Sequence, residues 1–231
     1  NEKIIVAMRV ARLLRATRPG GGKHNNVYIG DRYTTEAKRR GYPARSVFKL
    51  EEIHEKYPLF YKGATVLDLG CCPGSWALYA ANKIGEEGLV LGLDTTPTTF
   101  VFPDNVKVLV QDVFTFDLQQ PHLRDRFDVV MSDMAPATTG DREVDHERSY
   151  KLCMRALDMA VTVLRPGASS SVVLKLLQGA RFEDVRKRMR KEYTHVRVVV
   201  PLSVRKGSRE LYLLGQGAKK ARPSWHIKTD G

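Results

Sequence analysis

The sequence has few cysteines and no spaced set of metal ligands. Three of its 231 residues are cysteine, and two of these, Cys71 and Cys72, are adjacent. Neighbouring cysteines pair with each other only under severe strain, so a disulfide framework is excluded. No second group of cysteine and histidine lies at the spacing that a zinc site requires. We therefore expect no metal and a reducing compartment.

Long apolar runs are also missing. The longest, such as VTVL (161–164) and SVVLKLL (171–177), fall far short of the roughly 20 residues that span a bilayer. No signal peptide is visible, although the printed sequence begins at Asn1. Apolar residues nevertheless make up 42% of the chain, as in folded proteins with a sizeable core. We expect no membrane span.

Acidic residues are scarce relative to basic ones. There are 38 Lys and Arg against 26 Asp and Glu, which gives a formal net charge of +12. Such an imbalance in one domain favours a polyanionic partner, most simply a nucleic acid. The charge alone does not distinguish one nucleic acid from another.

The first 30 residues differ from the rest. From Lys3 to Arg18 the chain is apolar, carries an arginine at every third position from Arg9 and has no acid. This pattern predicts a short basic amphipathic helix, followed by a flexible PGGGKHNN linker. The helix fits the remnant of a mitochondrial presequence, a docking helix or an arm that lies on RNA.

Beyond this extension, short β-branched runs alternate with helical patterns. The strand candidates are 64–70, 88–94, 106–112, 127–133, 170–177, 196–202 and 210–215. The helix candidates are a segment from about residue 45 to 53, then 75–84, 145–164 and 181–192. The alternation predicts an α/β fold with a doubly wound, mainly parallel sheet of seven strands, the last two forming an antiparallel hairpin. We predict one domain over 31–216, after an extension over 1–30 and before a polar tail over 217–231 that Trp225 docks.

Acidic residues, together with glycine and proline, stand at the carboxyl ends of the predicted strands, where open α/β sheets bind ligands. In chain order these are Asp68, Gly70, Pro73 and Gly74, then Asp94, then Asp112, then Asp133. A glycine loop lets the backbone pass close to a ligand, and an acid at the end of the next strand accepts hydrogen bonds from ribose hydroxyls. The pattern predicts a nucleoside site.

The loop after the first strand belongs to neither common phosphate-binding type. Cys72 and Ser75 stand where a GxGxxG fingerprint needs glycine, and no GK[ST] follows as in a P-loop. The proline and the acidic second strand favour a nucleoside with a cationic, phosphate-free attachment. S-adenosylmethionine is the obvious candidate.

Five segments are informative together: VFKLEEI, DLGCCPGSW, VVMSDMAP, VVLKLLQG and SRELYLL. In order and separation they resemble the FtsJ/RrmJ family of ribosomal-RNA 2′-O-methyltransferases, over roughly residues 30 to 216. The resemblance implies a Rossmann-like methyltransferase fold, S-adenosylmethionine as cofactor and a catalytic Lys-Asp-Lys-Glu tetrad. The matching positions of the tetrad are Lys49, Asp133, Lys175 and Glu210.

The resemblance and the basic flanks of its motifs also imply binding residues. Cofactor contacts are expected at Asp68, Gly70, Pro73, Gly74, Trp76, Asp94, Asp112 and Asp133. RNA contacts are expected at Lys38, Arg39, Arg40, Arg45, Arg205 and Lys206. The chain departs from the family's Ala-Ala-Pro-Gly-Gly loop by small-for-small changes that we expect the loop to tolerate. Ala137 stands where the family typically has Asn, which we expect to weaken a polar contact.

The tetrad suits the chemistry of a ribose hydroxyl, which is a poor nucleophile. A lysine acts as a base only if burial or a neighbouring cation lowers its pKa from about 10.4. We expect Lys49 to have this effect on Lys175, which then serves as base or activator. Asp133 and Glu210 would orient the two ammonium groups.

Within the family, TGDREVDHERSYKLC (139–153) is most similar to the mitochondrial large-subunit rRNA methyltransferase branch. His146 and Arg148 of this block either face RNA or lie exposed on a helix. Together with the basic N-terminal pattern, the block favours the mitochondrial matrix, with nucleolus and cytoplasm as alternatives.

We therefore expect 2′-O-methylation of large-subunit rRNA, coupled to ribosome biogenesis, with a pre-ribosomal particle and its assembly factors as partners. Two alternatives stay open. The protein could be an assembly factor that binds immature rRNA with catalysis dispensable, or it could methylate tRNA or mRNA caps.

Overall fold

A seven-stranded sheet organises the computed structural model, which describes residues 27–219, apart from the side chains of 27–31. The strands are β1 (Thr65–Leu69), β2 (Leu89–Asp94), β3 (Val106–Val110), β4 (Val129–Ser132), β5 (Gly167–Leu177), β6 (Tyr193–Val199) and β7 (Glu210–Ala218). The helices are α1 (Val27–Arg39), α2 (Val47–Lys56), α3 (Ser75–Ile84), α4 (Arg142–Val163) and α5 (Phe182–Glu192). The helix predicted over 3–18 and the tail around Trp225 lie outside the described residues.

The strand order is β3-β2-β1-β4-β5-β7-β6. The first five strands pair in parallel, whereas β7 runs antiparallel to both β5 and β6. The predicted fold class, including the C-terminal antiparallel hairpin, is confirmed. From β1 the order proceeds outward in both directions, so a crevice for a ligand opens at the carboxyl ends of β1 and β4.

Helices cover both faces of the sheet because the central strands bury alternate residues on opposite sides. Val66 and Val129 pack into a core cluster with α2 and α3. Their neighbours Leu67 and Val130 pack into a second cluster with α4 and α5. The sequence of the strands thus reads as nearly continuous apolar runs, which is what a sheet buried on both faces requires.

The helix α1 was not predicted, and it crosses the domain boundary placed between residues 30 and 31. The boundary placed between 216 and 217 falls inside β7. The division of the chain into extension, domain and tail stays a prediction, with regular structure continuing through both proposed boundaries.

Cys71 is buried beside β2, where a Cβ on Gly92 would overlap its sulfur atom. Cysteines 71, 72 and 153 are free thiols. Among residues 27–219, the structure contains no group of acidic, cysteine and histidine side chains that could hold a metal ion. None of the helices described is both long enough and apolar enough to cross a membrane.

Candidate active site

A pocket of about 350 Å³ opens at the carboxyl ends of β1 to β4, at the point where the strand order diverges. Four predicted cofactor residues line it: Gly70, Asp94, Asp112 and Asp133. The volume lies within the range typical of small-molecule sites. The structure therefore places a pocket where the ends of the strands predict a ligand site.

The acid at the end of β2 shapes the loop that follows β1. The two carboxylate oxygens of Asp94 accept hydrogen bonds from the backbone N–H groups of Cys72, at 2.9 Å, and Thr96, at 2.8 Å. A carboxylate oxygen can accept a second hydrogen bond, so Asp94 remains able to bind a ribose hydroxyl. One acid thus joins the glycine loop to the second strand and faces the pocket.

Asp68 lies beneath the pocket rather than in its lining. It is fully buried, and neither carboxyl oxygen has a hydrogen-bond partner among the described residues. Burial, followed by the charges of Asp133 and Asp94, raises the pKa of Asp68 well above its ordinary value, although the backbone of Ala77 lowers it slightly. A cationic ligand above this carboxyl would offset a burial that costs free energy without one.

The glycines of the loop are fitted to close approach. Gly70 has a φ of +74°, and a Cβ on it would overlap the side chain of Met134, which also lines the pocket. A Cβ on Gly74, at the start of α3, would overlap the ring of Phe102. A side chain at either position would therefore collide with a residue packed against the loop.

Two predicted cofactor residues have structural contacts outside the pocket lining. The carbonyl oxygen of Pro73 accepts a hydrogen bond from the hydroxyl of Thr98 at 3.5 Å. Trp76 is buried in the core, and its indole N–H donates to the carbonyl oxygen of Ser46 at 2.9 Å. Trp76 thus ties α3 to the segment that precedes α2, and its cofactor contact stays a prediction.

The four tetrad residues meet at one end of the sheet, next to the pocket. Lys49 Nζ lies 2.7 Å from Glu210 Oε1 and 4.0 Å from Asp133 Oδ2. Lys175 Nζ lies 3.1 Å from Asp133 Oδ1 and 3.4 Å from Glu210 Oε2. The four side chains are between 10 and 17% exposed. Two cations and two anions therefore alternate in a largely buried ring, and Asp133 belongs to both the ring and the pocket.

The sequence model of the family described as FtsJ-like methyltransferase matches residues 42–218. The chain belongs to the FtsJ-like methyltransferase family. Ribosomal RNA large subunit methyltransferase E of Desulfatibacillum aliphaticivorans is 44% identical over 203 residues, which cover 86% of this chain and 94% of that protein. The protein of the same name from Bdellovibrio bacteriovorus is 43% identical over 192 residues, covering 82% and 97%.

The fold is also that of a crystal structure from Plasmodium falciparum described as a ribosomal RNA methyltransferase. The two superpose with a TM-score of 0.64 at 21% identity, over 77% of this chain and 98% of the other. The family predicted from the five motifs is thus confirmed, and the methyl donor of this methyltransferase is S-adenosylmethionine. The closer similarity to a mitochondrial branch stays a prediction.

The protonation expected for this FtsJ-like site is wrong for Lys175. Burial disfavours its ammonium group and is the largest single influence, but the charges and hydrogen bonds of Asp133 and Glu210 outweigh it. The pKa of Lys175 is therefore raised rather than lowered. The expectation failed because it took Lys49 as the charged neighbour of Lys175, whereas the charged groups in contact with the ammonium are both carboxylates.

A fifth residue, Tyr212, contacts the tetrad of this methyltransferase and was not predicted from the sequence. The hydroxyl of Tyr212 donates to Asp133 Oδ1 at 2.6 Å, and its ring lies 5.9 Å from Lys49 Nζ. Tyr212 is fully buried, and burial, followed by the charge of Asp133, raises its pKa well above the ordinary value. It stands two residues after Glu210 in SRELYLL, hence on the same face of β7, which was the available signal.

The predicted RNA contacts form two groups. Arg45 donates to the carbonyl oxygen of Ser203 at 2.8 Å and lies 4.9 Å from the ring of Tyr33. Burial and then the charge of Arg205 lower the pKa of Arg45, so these two cations face the same region. Arg205 and Lys206 are exposed in the loop that leads to Glu210.

The other group lies at the end of α1. Lys38 is exposed, while Arg39 pairs with Glu36 at 2.7 Å. Arg40 forms a bidentate pair with Glu51 at 2.7 and 2.8 Å. Its guanidinium thus joins α1 to α2.

Proposed function

We propose that this methyltransferase transfers a methyl group to a ribose 2′-hydroxyl of large-subunit ribosomal RNA. The observation that carries the proposal is the buried ring of Lys49, Asp133, Lys175 and Glu210 beside the pocket at the ends of β1 to β4. The names of relatives that are 43 and 44% identical over most of their length support this substrate class.

The residues around the pocket fit S-adenosylmethionine. Asp94 and Asp112 would bind its hydroxyl and amino groups, Gly70 leaves room for it, and Asp68 supplies an uncompensated carboxyl beneath it. When bound, the cofactor would supply an electrophilic methyl group, and its sulfonium would leave as a neutral thioether once the C–S bond breaks. Everything else in the reaction falls to the side chains of the tetrad.

In the proposed mechanism Lys175 acts as an ammonium group, because two carboxylates raise its pKa. It would donate a hydrogen bond to the ribose 2′-oxygen and aim a lone pair of that oxygen at the methyl group. The hydroxyl proton becomes strongly acidic as the new C–O bond forms, so a carboxylate is a sufficient base. Asp133 or Glu210 would accept it, and Lys49 would hold Glu210 in place.

The RNA would lie across the basic residues that border the tetrad. Arg45 and Arg205 face the same region and Lys206 is exposed beside them, so their combined positive charge would attract phosphates. Lys38 and Arg39 would extend this surface along α1. Arg40, already paired with Glu51, would contribute chiefly by holding α1 against α2.

The test is methylation of large-subunit rRNA by purified protein with labelled cofactor, followed by mapping of the modified nucleotide. We expect one 2′-O-methylated nucleotide, and its loss in Lys175→Ala with cofactor affinity retained. The exposed Lys187→Ala, on the far face of α5, is the control and should leave the rate unchanged. Methylation of tRNA or of an mRNA cap instead, or of no RNA, would refute the proposal.

We further propose that the reaction takes place on an assembling mitochondrial large subunit. The basic pattern of residues 3–18 and the block 139–153 support this context. A fusion of residues 1–30 to a fluorescent protein should enter mitochondria, and depletion should stall large-subunit assembly. Rescue of assembly by Lys175→Ala would favour the alternative in which binding of immature rRNA suffices. If the fusion protein is found in the cytoplasm or the nucleolus, the proposed mitochondrial location is wrong.

A further inference from the structure

The first turns of α4 carry four polar side chains that reach backbone atoms of two neighbouring segments. Asp145, His146 and Ser149 are buried, whereas Arg148 is exposed. They belong to the block DHERS, which none of the tetrad, cofactor or RNA roles uses. Because His146 is only 5% exposed, contact with RNA does not explain its presence.

Two of these side chains take the place of a missing strand at the end of β5. The pairing of β4 with β5 ends at Ser132 and Leu174, so among the described residues the last part of β5 has no strand on that side. Ser149 Oγ accepts a hydrogen bond from the N–H of Leu177 at 3.0 Å. His146 Nδ1 lies 2.8 Å from the carbonyl oxygen of the same residue. Both backbone groups of Leu177 are thus satisfied by α4.

The second ring nitrogen of His146 fixes the turn that follows. Its Nε2 accepts the backbone N–H of Arg181 at 3.0 Å. A carbonyl only accepts and an amide N–H only donates, so the ring must carry its proton on Nδ1. A Cβ on Gly179 would overlap the ring, so the chain between β5 and α5 wraps directly around the imidazole.

The other two side chains hold the segment after β4. Asp145 Oδ1 accepts the backbone N–H and the hydroxyl of Thr139, at 2.7 and 2.9 Å. The guanidinium of Arg148 donates to the carbonyl oxygen of Ala137 at 3.2 Å. One helix therefore fastens both the segment that begins at Asp133 and the end of the strand that carries Lys175.

These contacts bear on the tetrad through short covalent paths. Lys175 lies two residues before Leu177 on β5, and Leu177 is the register partner of Glu210 on β7. A shift at Leu177 would therefore move Lys175 and Glu210 together, relative to Asp133. Displacements of this kind change reaction rates more than they change binding.

We propose that His146 is a positioning residue for the methyl transfer, which sets Lys175 and Glu210 by holding Leu177 and Arg181. This inference rests on the function proposed above. Ser149 assists at Leu177, while Asp145 and Arg148 perform the equivalent task for the segment after Asp133. The block DHERS is thereby assigned to the geometry of the tetrad rather than to RNA binding.

The test separates the two hydrogen bonds of the ring. His146→Asn keeps an N–H donor near the position of Nδ1, His146→Gln keeps an acceptor near that of Nε2, and His146→Leu keeps neither. We expect His146→Leu to lower kcat by about 100-fold, the scale of a 1 Å misplacement. Its KM for RNA and its cofactor affinity should change less than about threefold. His146→Asn should restore more of kcat than His146→Gln, since it retains the bond to Leu177.

Leu157→Ala is the matched control, because it removes a buried side chain from the same helix without removing a polar contact to either strand end. It should lower the melting temperature and spare kcat. If His146→Leu does not fold, Ser149→Ala, which removes only the bond to the Leu177 N–H, should show a smaller loss of kcat. In crystal structures of His146→Asn and His146→Leu, the distance from Lys175 to Asp133 should differ more from the wild-type value in the variant that loses more activity.

The inference is overturned if wild-type protein methylates RNA and both His146→Leu and Ser149→Ala keep its kcat, or if these changes raise KM alone. Failure of the wild type to methylate any RNA refutes the proposed function instead. In that case an unmoved Lys175 in the variant crystal structure would still refute the positioning role.

Discussion

At the scale of single residues, the hydroxyl of Tyr212 donates an uncharged hydrogen bond to Asp133 of the tetrad, at 2.6 Å. A hydrogen bond to a charged group contributes about 1.5–3 kcal/mol. We predict that Tyr212→Phe lowers kcat by roughly 10-fold to 100-fold, since each 1.36 kcal/mol corresponds to a factor of ten. Steady-state methylation assays measure the change.

Tyr193→Phe is a control matched in chemistry and burial. Tyr193 is buried, but its hydroxyl has no hydrogen-bond partner among the described residues. Its removal should leave kcat unchanged and should not lower the melting temperature. Equal kinetic effects of the two substitutions would contradict the role given to Tyr212.

The burial of Asp68 should make the stability of the protein depend on pH. Its pKa is raised by burial above the ordinary 3.8, so the native state holds this proton more tightly than the unfolded state does. The free energy of unfolding therefore loses this contribution as the pH rises above 3.8 toward the native pKa. Asp68→Asn, which cannot ionise, should be more stable than wild type at pH 7. This difference in stability should be smaller near pH 4.

Denaturant titrations at the two pH values measure this difference, and calorimetry measures cofactor binding. Asp68→Asn should bind S-adenosylmethionine more weakly, since an amide cannot ionise to balance the positive charge of the ligand. A variant that loses stability at pH 7 would show that Asp68 is compensated in the native state after all.

The individual residues also show where sequence reasoning stops. Lys49, Asp133, Lys175 and Glu210 could be named from motifs, because a resemblance carries residue identity from one chain to another. The direction of the Lys175 pKa shift could not, because it depends on distances of 3.1 and 3.4 Å to the carboxylates of Asp133, just after β4, and Glu210, on β7. The position of Tyr212, two residues from Glu210 on one strand, is by contrast a signal that the sequence itself contains.

At the scale of helices and strands, hydrophobic pattern predicted most of the fold. The helix predicted over 75–84 is found at Ser75–Ile84, and that over 181–192 at Phe182–Glu192. The unpredicted α1 contains Gly30, Thr34 and Thr35, residues with poor helix propensity. It is held instead by tertiary contacts such as Arg40 with Glu51, which the local sequence does not reveal.

We predict different effects of replacing two glycines of similar backbone conformation, one in the loop between β1 and α3 and the other after α1. Gly70 and Gly41 have φ values of +74° and +79°. A Cβ on Gly70 would overlap Met134, whereas one on Gly41 would meet nothing within 4 Å. Either change to Ala should cost about 1–2 kcal/mol of stability from the left-handed backbone. Only Gly70→Ala should also abolish measurable cofactor binding.

Equilibrium unfolding and calorimetry on both variants check this prediction. The stability of Gly41→Ala provides the cost of the backbone conformation alone, so the excess at Gly70 reports the collision with Met134. Cofactor binding that survives in Gly70→Ala would mean that the loop can retreat from the pocket.

At the scale of the whole molecule, charge separates residues that bind RNA from residues that keep the surface solvated. The net charge of +12 favours nucleic acid but does not say where it binds. The run Arg186–Lys191 on α5 is as basic as the loop of Arg205 and Lys206, yet α5 packs on the face of the sheet opposite α2 and α3. Proximity to the tetrad distinguishes the two: Arg205 and Lys206 flank Glu210 in the sequence, and the structure adds that Arg205 faces the same region as Arg45.

Two double variants with the same change in net charge test this division. Arg205→Ala with Lys206→Ala should weaken RNA binding and reduce the slope of log affinity against log salt by about 2, or about 1 for each phosphate that is no longer neutralised. Lys187→Ala with Lys191→Ala, both exposed on α5, should leave the slope unchanged. Fluorescence anisotropy with an rRNA fragment between about 50 and 200 mM salt measures both slopes. Equal slopes for both variants would mean that overall charge, rather than the surface beside the tetrad, attracts the RNA.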